Sequence, residues 1–155
     1  MTETLPVRPA AAGGSPATGS PASERERVIA DVARLRLSRG PLLGPVLWRV
    51  VSIVLAQADW PLDRLDEALL VCDTLCAHAP EHARGDTVSF SVRADERKAE
   101  LRVLDLTDGG AEGLVRDAIL PVVGNVLETI ADSVSIELGE PGEGSQLALV
   151  LSASS

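Results

Sequence analysis

The stretch Leu62–Ala79, LDRLDEALLVCDTLCAHA, decides how the rest of the chain is arranged. Leu62, Leu65, Leu69, Cys72 and Cys76 recur at three- and four-residue steps and so share one side of a helix. Asp66, Leu70, Asp73 and Ala77 fall on an adjoining side. Pro61 precedes the helix and Pro80 closes it. Asp73 requires a reason: set amid apolar neighbours, a carboxylate is costly to bury unless it has a partner or faces a wet pocket. The plainer alternative is a helix carboxylate that is paired with a base or open to water, and both readings stand at this point.

Upstream, Pro45 fits the first turn of another helix, where its missing N–H is no loss. Leu47, Val50, Val51, Val54 and Ala58 give that helix an apolar stripe. Trp48 belongs to the core or, if its indole is exposed, to an interface. Before it, Ala33, Leu35 and Leu37 alternate with Arg34 and Arg36, the two-residue period of a strand whose basic side faces water. Residues 1–23 are rich in Pro, Ala, Gly, Ser and Thr and read as a disordered tail. Residues 24–155 then form one domain, long enough to bury a sizeable core.

Downstream, Val88, Phe90 and Val92 alternate with polar residues, as do Leu101 and Val103 after the charged turn Ala94–Lys98. The pair predicts an antiparallel hairpin, solvated on one side. Thr107–Gly113, TDGGAEG, reads as a loop able to bring backbone N–H groups close to a ligand, although ordinary turns use the same glycines. A short helix follows over Leu114–Ile119, and a longer one opens at Pro121 with Val123, Val126, Leu127 and Ile130 as its buried face. Two strands close the chain, with Val134, Ile136 and Leu138 alternating in one and Leu147, Leu149 and Leu151 in the other. The order predicts an α+β two-layer sandwich, a mainly antiparallel sheet covered on one face by about three helices.

The formal charge of −9 and a pI near 4.6 argue against broad attraction to nucleic acid or anionic lipid. Three aromatic residues, Trp48, Trp60 and Phe90, are too few for a base-stacking platform. Cys72 and Cys76 read as small core residues rather than a disulfide. With His78 and His82 they make no standard zinc spacing, so no metal site is expected. The longest apolar helix is interrupted by Arg49, Ser52 and Gln57, and no signal peptide is read at the start, so a cytoplasmic protein without a membrane span is expected.

The element order and several words of the sequence resemble the histidine-kinase-like ATPase fold, above all the small anti-sigma factor serine/threonine kinases. The words are ARLRLSRGPLLGPVLWRVV, LDEALLVCDTLCAHA, LRVLDLTDGG and LETIADSVSIELGEPGEGSQLALVL, spanning about Ala33–Leu151. The resemblance implies a nucleotide site. Val71-Cys72-Asp73 matches the family's Val-Ser-Glu word, so Asp73 takes the position of the acidic residue near the attacking group. Ala77 takes that of the Asn that holds Mg²⁺, and it has no oxygen to offer a hard cation.

The family's Asp-x-Gly-x-Gly word, whose Asp accepts from the adenine amino group, falls on Thr107 and Gly109 if strand parity is kept. It falls on Asp108, Gly109 and Gly110 if the match slides by one. Gly144 and Ser145 match the closing glycine word, while the glycine word before the last helix has no counterpart around Ala118–Val123. The resemblance therefore implies ATP as cofactor, without a magnesium site, and a partner such as a sigma factor or an anti-sigma antagonist. A homodimer through the first helix is also compatible with it. The expected function is regulation by protein–protein binding with nucleotide binding weak or lost; the alternative is an active ATP-dependent kinase that phosphorylates an antagonist protein.

Overall fold

Alternation of apolar and polar residues builds one sheet, and its apolar side collects the helices. The computed structural model describes residues 33–154. The expected tail, residues 1–23, and the start of the domain, residues 24–32, lie outside the described residues. In chain order the elements are β1 (Ala33–Ser38), α1 (Leu43–Gln57), α2 (Leu62–His78), a 3-10 turn (Ala79–His82), β2 (Thr87–Ala94) and β3 (Lys98–Leu106). There follow α3 (Gly110–Asp117), a minimal hairpin of β4 (Ile119–Leu120) and β5 (Gly124–Asn125), α4 (Val126–Ile130), β6 (Ser133–Leu138) and β7 (Ser145–Ser152).

The five long strands lie in the order β1-β2-β3-β7-β6, each antiparallel to its neighbours. Val88, Phe90 and Val92 on β2, Leu101 and Val103 on β3, and Leu147, Leu149 and Leu151 on β7 point into a single core. Leu43, Leu47, Val51 and Leu55 of α1 and Ala68, Val71, Cys72 and Leu75 of α2 meet them there. Burying each such large side chain contributes roughly 1.5–3 kcal/mol before the entropy of ordering is set against it. The protein is thus α+β, with helices on the apolar side of an antiparallel sheet, as expected. The opposite side carries Arg34, Arg36, Arg93, Glu100 and Arg102, and Arg102 pairs with both Glu100 and Glu137. Both hairpins and the basic exposed side of β1 also match the expectation, although Ser89 and Ser91 on the polar side of β2 are buried rather than solvated.

Three expectations fail in whole or in part, each for a local reason. The face of α2 expected from Leu65, Leu69, Cys72 and Cys76 does pack on the core, but it is widened by Ala68, Val71 and Leu75 while Leu62 is 79% exposed, and the adjoining side of Asp66, Leu70, Asp73 and Ala77 faces outward rather than into a pocket. Thr74 takes the buried polar place instead, its Oγ1 donating to the Leu70 carbonyl one turn back. TDGGAEG is not a loop throughout, because α3 begins at Gly110 and buries Gly110, Ala111, Gly113 and Leu114. The helix expected from Pro121 begins only at Val126, with Asn125 as its cap accepting from the Glu128 N–H. Pro121, Val122 and Val123 instead form the exposed turn between β4 and β5.

Candidate functional site

The residues singled out in sequence fall in two places. Thr107, Asp108, Gly109, Gly110, Gly144 and Ser145 converge where β3 runs into α3 beside the turn between β6 and β7. Asp73 and Ala77 lie on the outward side of α2, exposed.

The convergence begins with a register slip. Val103 pairs with Leu147 but Leu106 pairs with Ser145, so β3 carries one extra residue, a β-bulge. Asp105 sits inside it with a φ of 53°. Inward parity moves from Leu101 and Val103 to Leu106, which is fully buried. Asp108, not Thr107, is then an even number of residues from Leu106, and no periodicity could have announced the slip.

Beyond the bulge a set of main-chain and side-chain polar groups pair with one another. The Thr107 N–H donates to the His82 carbonyl at 2.8 Å, and the Thr107 carbonyl accepts from the Gly110 N–H at 2.8 Å and from Ser145 Oγ at 2.8 Å. Ser145 Oγ in turn accepts the Ala111 N–H at 3.1 Å, which satisfies one of the free donors in the first turn of α3. The Gly113 N–H returns to the Gly109 carbonyl at 3.0 Å. The Asp108 carboxylate accepts the Gly144 N–H at 2.9 Å and the Gly142 N–H at 3.3 Å. Across the same turn Arg84 donates to the Gly142 carbonyl at 2.9 Å and to the Glu143 carbonyl.

Gly110 and Gly144 are places of close approach, whereas a Cβ on Gly109 would meet nothing within 4 Å. A Cβ on Gly144 would stand 2.1 Å from the Leu106 carbonyl oxygen, and the residue's φ of 87° favours glycine independently. A Cβ on Gly110 would stand 2.7 Å from Thr107 Oγ1 and 3.0 Å from the His82 carbonyl oxygen. The room beside these glycines is filled by the protein itself.

His82 and Asp117 are the pair that sequence reasoning missed. His82 Nε2 lies 2.8 Å from Asp117 Oδ2 and joins the 3-10 turn to the last turn of α3. The hydrogen bond from His82 holds the Asp117 carboxyl below the ordinary carboxylate range, against an opposing desolvation effect and with the fields of His82, Arg116 and His78 assisting. The partners are 35 residues apart, and the Ala83–Leu106 bridge, the Arg84 N–H to Asp105 carbonyl bond at 3.0 Å and the Thr107 N–H to His82 carbonyl bond bring their segments together. No spacing signal exists for such a contact.

Cys72 is buried and Cys76 half-buried, both as free thiols. Burial, then the Asp73 carboxylate, pushes Cys76 up to about 11, and burial first of all pushes Cys72 further, so both stay protonated and unreactive at neutral pH. Among the described residues no group of three or more His, Cys, Asp or Glu could hold a metal ion. No helix there is long and apolar enough to cross a membrane. In comparisons with known proteins, no family model and no curated protein matches this chain.

Proposed function

We propose that this protein is a regulatory binding protein on a histidine-kinase-like ATPase scaffold, similar to an anti-sigma factor, that acts by holding another protein, with nucleotide binding weak or lost. The observation that carries this reading is the internal satisfaction of the node around Asp108. In a nucleotide site the carboxylate of the Asp-Gly word must be free to accept from a base, and the helix N-terminus behind it must offer amides to phosphate. Here the Asp108 carboxylate is taken by two turn amides, and the Gly110 and Ala111 amides by Thr107 and Ser145. Asp73 and Ala77 add one exposed carboxylate and one methyl group, which is no magnesium site. Trp48 and Ile53 remain 46% and 50% exposed on α1, apolar surface of the kind protein partners cover. The sigma factor, the antagonist and the homodimer remain the partner classes this scaffold suggests.

Titration calorimetry with ATP and ADP, with and without Mg²⁺, tests the nucleotide part. We expect no heat and no thermal shift at about millimolar nucleotide, an affinity weaker than roughly −4 kcal/mol. Micromolar, magnesium-dependent binding together with phosphate transfer to a serine of a bound protein would replace this reading with the active kinase.

A further inference from the structure

The sheet has two outer strands, and among the described residues they are protected very differently. β1 places Arg34 and Arg36 outward along its length, charges of the kind that discourage a further strand. β6 has no Lys, Arg or Pro within Ser133–Leu138 and is exposed along almost its whole length. Its apolar residues lie on the helix side of the sheet, Ile136 opposite Leu147 and Leu138 opposite Ser145, yet Ile136 is 37% and Leu138 70% exposed. Helix cover therefore stops short of this edge.

The hydrogen-bonding phase of β6 follows from one contact. The Gly139 N–H donates to the Gly144 carbonyl at 3.0 Å, in line with the Leu138–Ser145 register. Antiparallel pairs alternate between bonded and non-bonded, so Ser135 and Glu137 turn their amides toward β7. Val134, Ile136 and Leu138 turn theirs toward the open edge. The edge thus offers a row of main-chain donors and acceptors beside a short apolar strip.

Charge says what fits there. Between Asp105 and Glu143 the chain carries nine carboxylates and a single basic residue, Arg116. The other described residues carry ten of each sign, so the excess negative charge of the described chain lies in the segment that contains β6 and both its flanking turns. A second copy of β6 would bring one carboxylate-rich segment against another. A basic strand would meet complementary charge.

We infer that the open edge of β6 is a docking site for an extended basic segment of a partner protein. The segment adds as a sixth strand and lays alternate apolar side chains against Ile136 and Leu138, with its Lys or Arg residues toward the carboxylates around β6. This rests on the protein-binding reading above and adds to it the surface and the chemistry of the partner.

The test uses the full chain and a fluorescein-labelled octapeptide alternating Val with Lys or Arg, read by anisotropy. Two control peptides are one of the same composition with the valines in a block and one with Glu replacing each base. The alternating basic peptide should bind best, and more weakly as salt is raised. Ile136→Pro, which removes an edge amide and no β7 ladder bond, and Leu138→Glu should each weaken it by about tenfold or more. Arg36→Ala on the opposite edge should leave it unchanged, and circular dichroism establishes that each variant is folded. Equal binding of the three peptides, no binding of the alternating one, or equal affinity of wild type and both β6 variants overturns the inference. So does a dimer, seen by sedimentation, that Ile136→Pro dissolves. Tight nucleotide binding would overturn the reading beneath it without altering the peptide result, so the two failures are distinguishable.

Discussion

Gly144 and Val122 both hold a left-handed backbone, with φ of 87° and 73°, yet their surroundings are opposite. Gly144 is buried between the Leu106 carbonyl, the Arg84 side chain and the Asp108 carboxylate. Val122 is fully exposed at the tip of the β4–β5 hairpin, next to exposed Val123. At the first place contacts demand the residue; at the second a β-branched residue occupies a conformation it disfavours, and nothing around it compensates. The Asp108 node is therefore determined by the fold itself, whereas the hairpin tip is not, and substitutions should move stability in opposite directions at the two.

The sharpest way to break this contrast is Gly144→Ala. The new methyl would overlap the Leu106 carbonyl oxygen, a backbone atom held in the bulge of β3, and would also take a φ of 87°. We expect a loss of roughly 3 kcal/mol or more, read from the urea midpoint with the slope unchanged. A loss below about 1 kcal/mol would mean that the node is adaptable and its glycines optional.

Ser145→Ala comes next. It leaves the Ala111 N–H without its acceptor and removes the bond to the Thr107 carbonyl, in a buried setting. The expected cost is about 1–3 kcal/mol, and amide hydrogen exchange at Ala111 should speed up as the start of α3 loosens. A neutral result would place a water in the hydroxyl's role.

Val122→Gly carries the opposite sign. No buried surface is lost, since the side chain is fully exposed, and relief of the left-handed strain outweighs the added freedom of the unfolded chain. Thermal unfolding should show a gain of roughly 0.5–1 kcal/mol. A loss would show that the valine has a packing partner among residues of the hairpin.

The same contrast explains what could be read in the sequence. The sheet was legible because Val88, Phe90 and Val92, and likewise Leu147, Leu149 and Leu151, obey a period of two that burial enforces. The stripe of α1 was nearly so, with Leu43 and Leu55 as its missing ends. The orientation of α2 was legible only in part, because apolar residues surround it: Leu65, Leu69 and Cys72 belong to the buried face as their spacing suggests, but Leu62 and Leu70 are exposed while Ala68, Val71 and Leu75 are buried, and only the sheet chooses among them. Around the site, the bulge at Asp105 and the His82–Asp117 contact depend on hydrogen bonds between segments far apart in sequence. The helix expected from Pro121 failed because Gly124 takes a φ of 82° and Asn125 caps the start of α4, local signals that the apolar periodicity of Val123, Val126 and Ile130 concealed.

The smallest expected effect separates the node from the hairpin by pH. Asp117 has its carboxyl held below the ordinary value of 3.8, first by the hydrogen bond from His82. A depressed folded value means that this contact's contribution is present above the ordinary value and is lost as pH falls through the lower folded one. Asp117→Asn lacks the contribution at every pH. The difference in urea midpoint between wild type and this variant should therefore be present at about pH 5 and close under acid conditions, below about pH 4. Val122→Gly, which touches no titrating group, should keep the same offset from wild type throughout. If the Asp117→Asn difference persists undiminished at about pH 2, the carboxylate's charge is not what joins α3 to the 3-10 turn, and the shape of the side chain is.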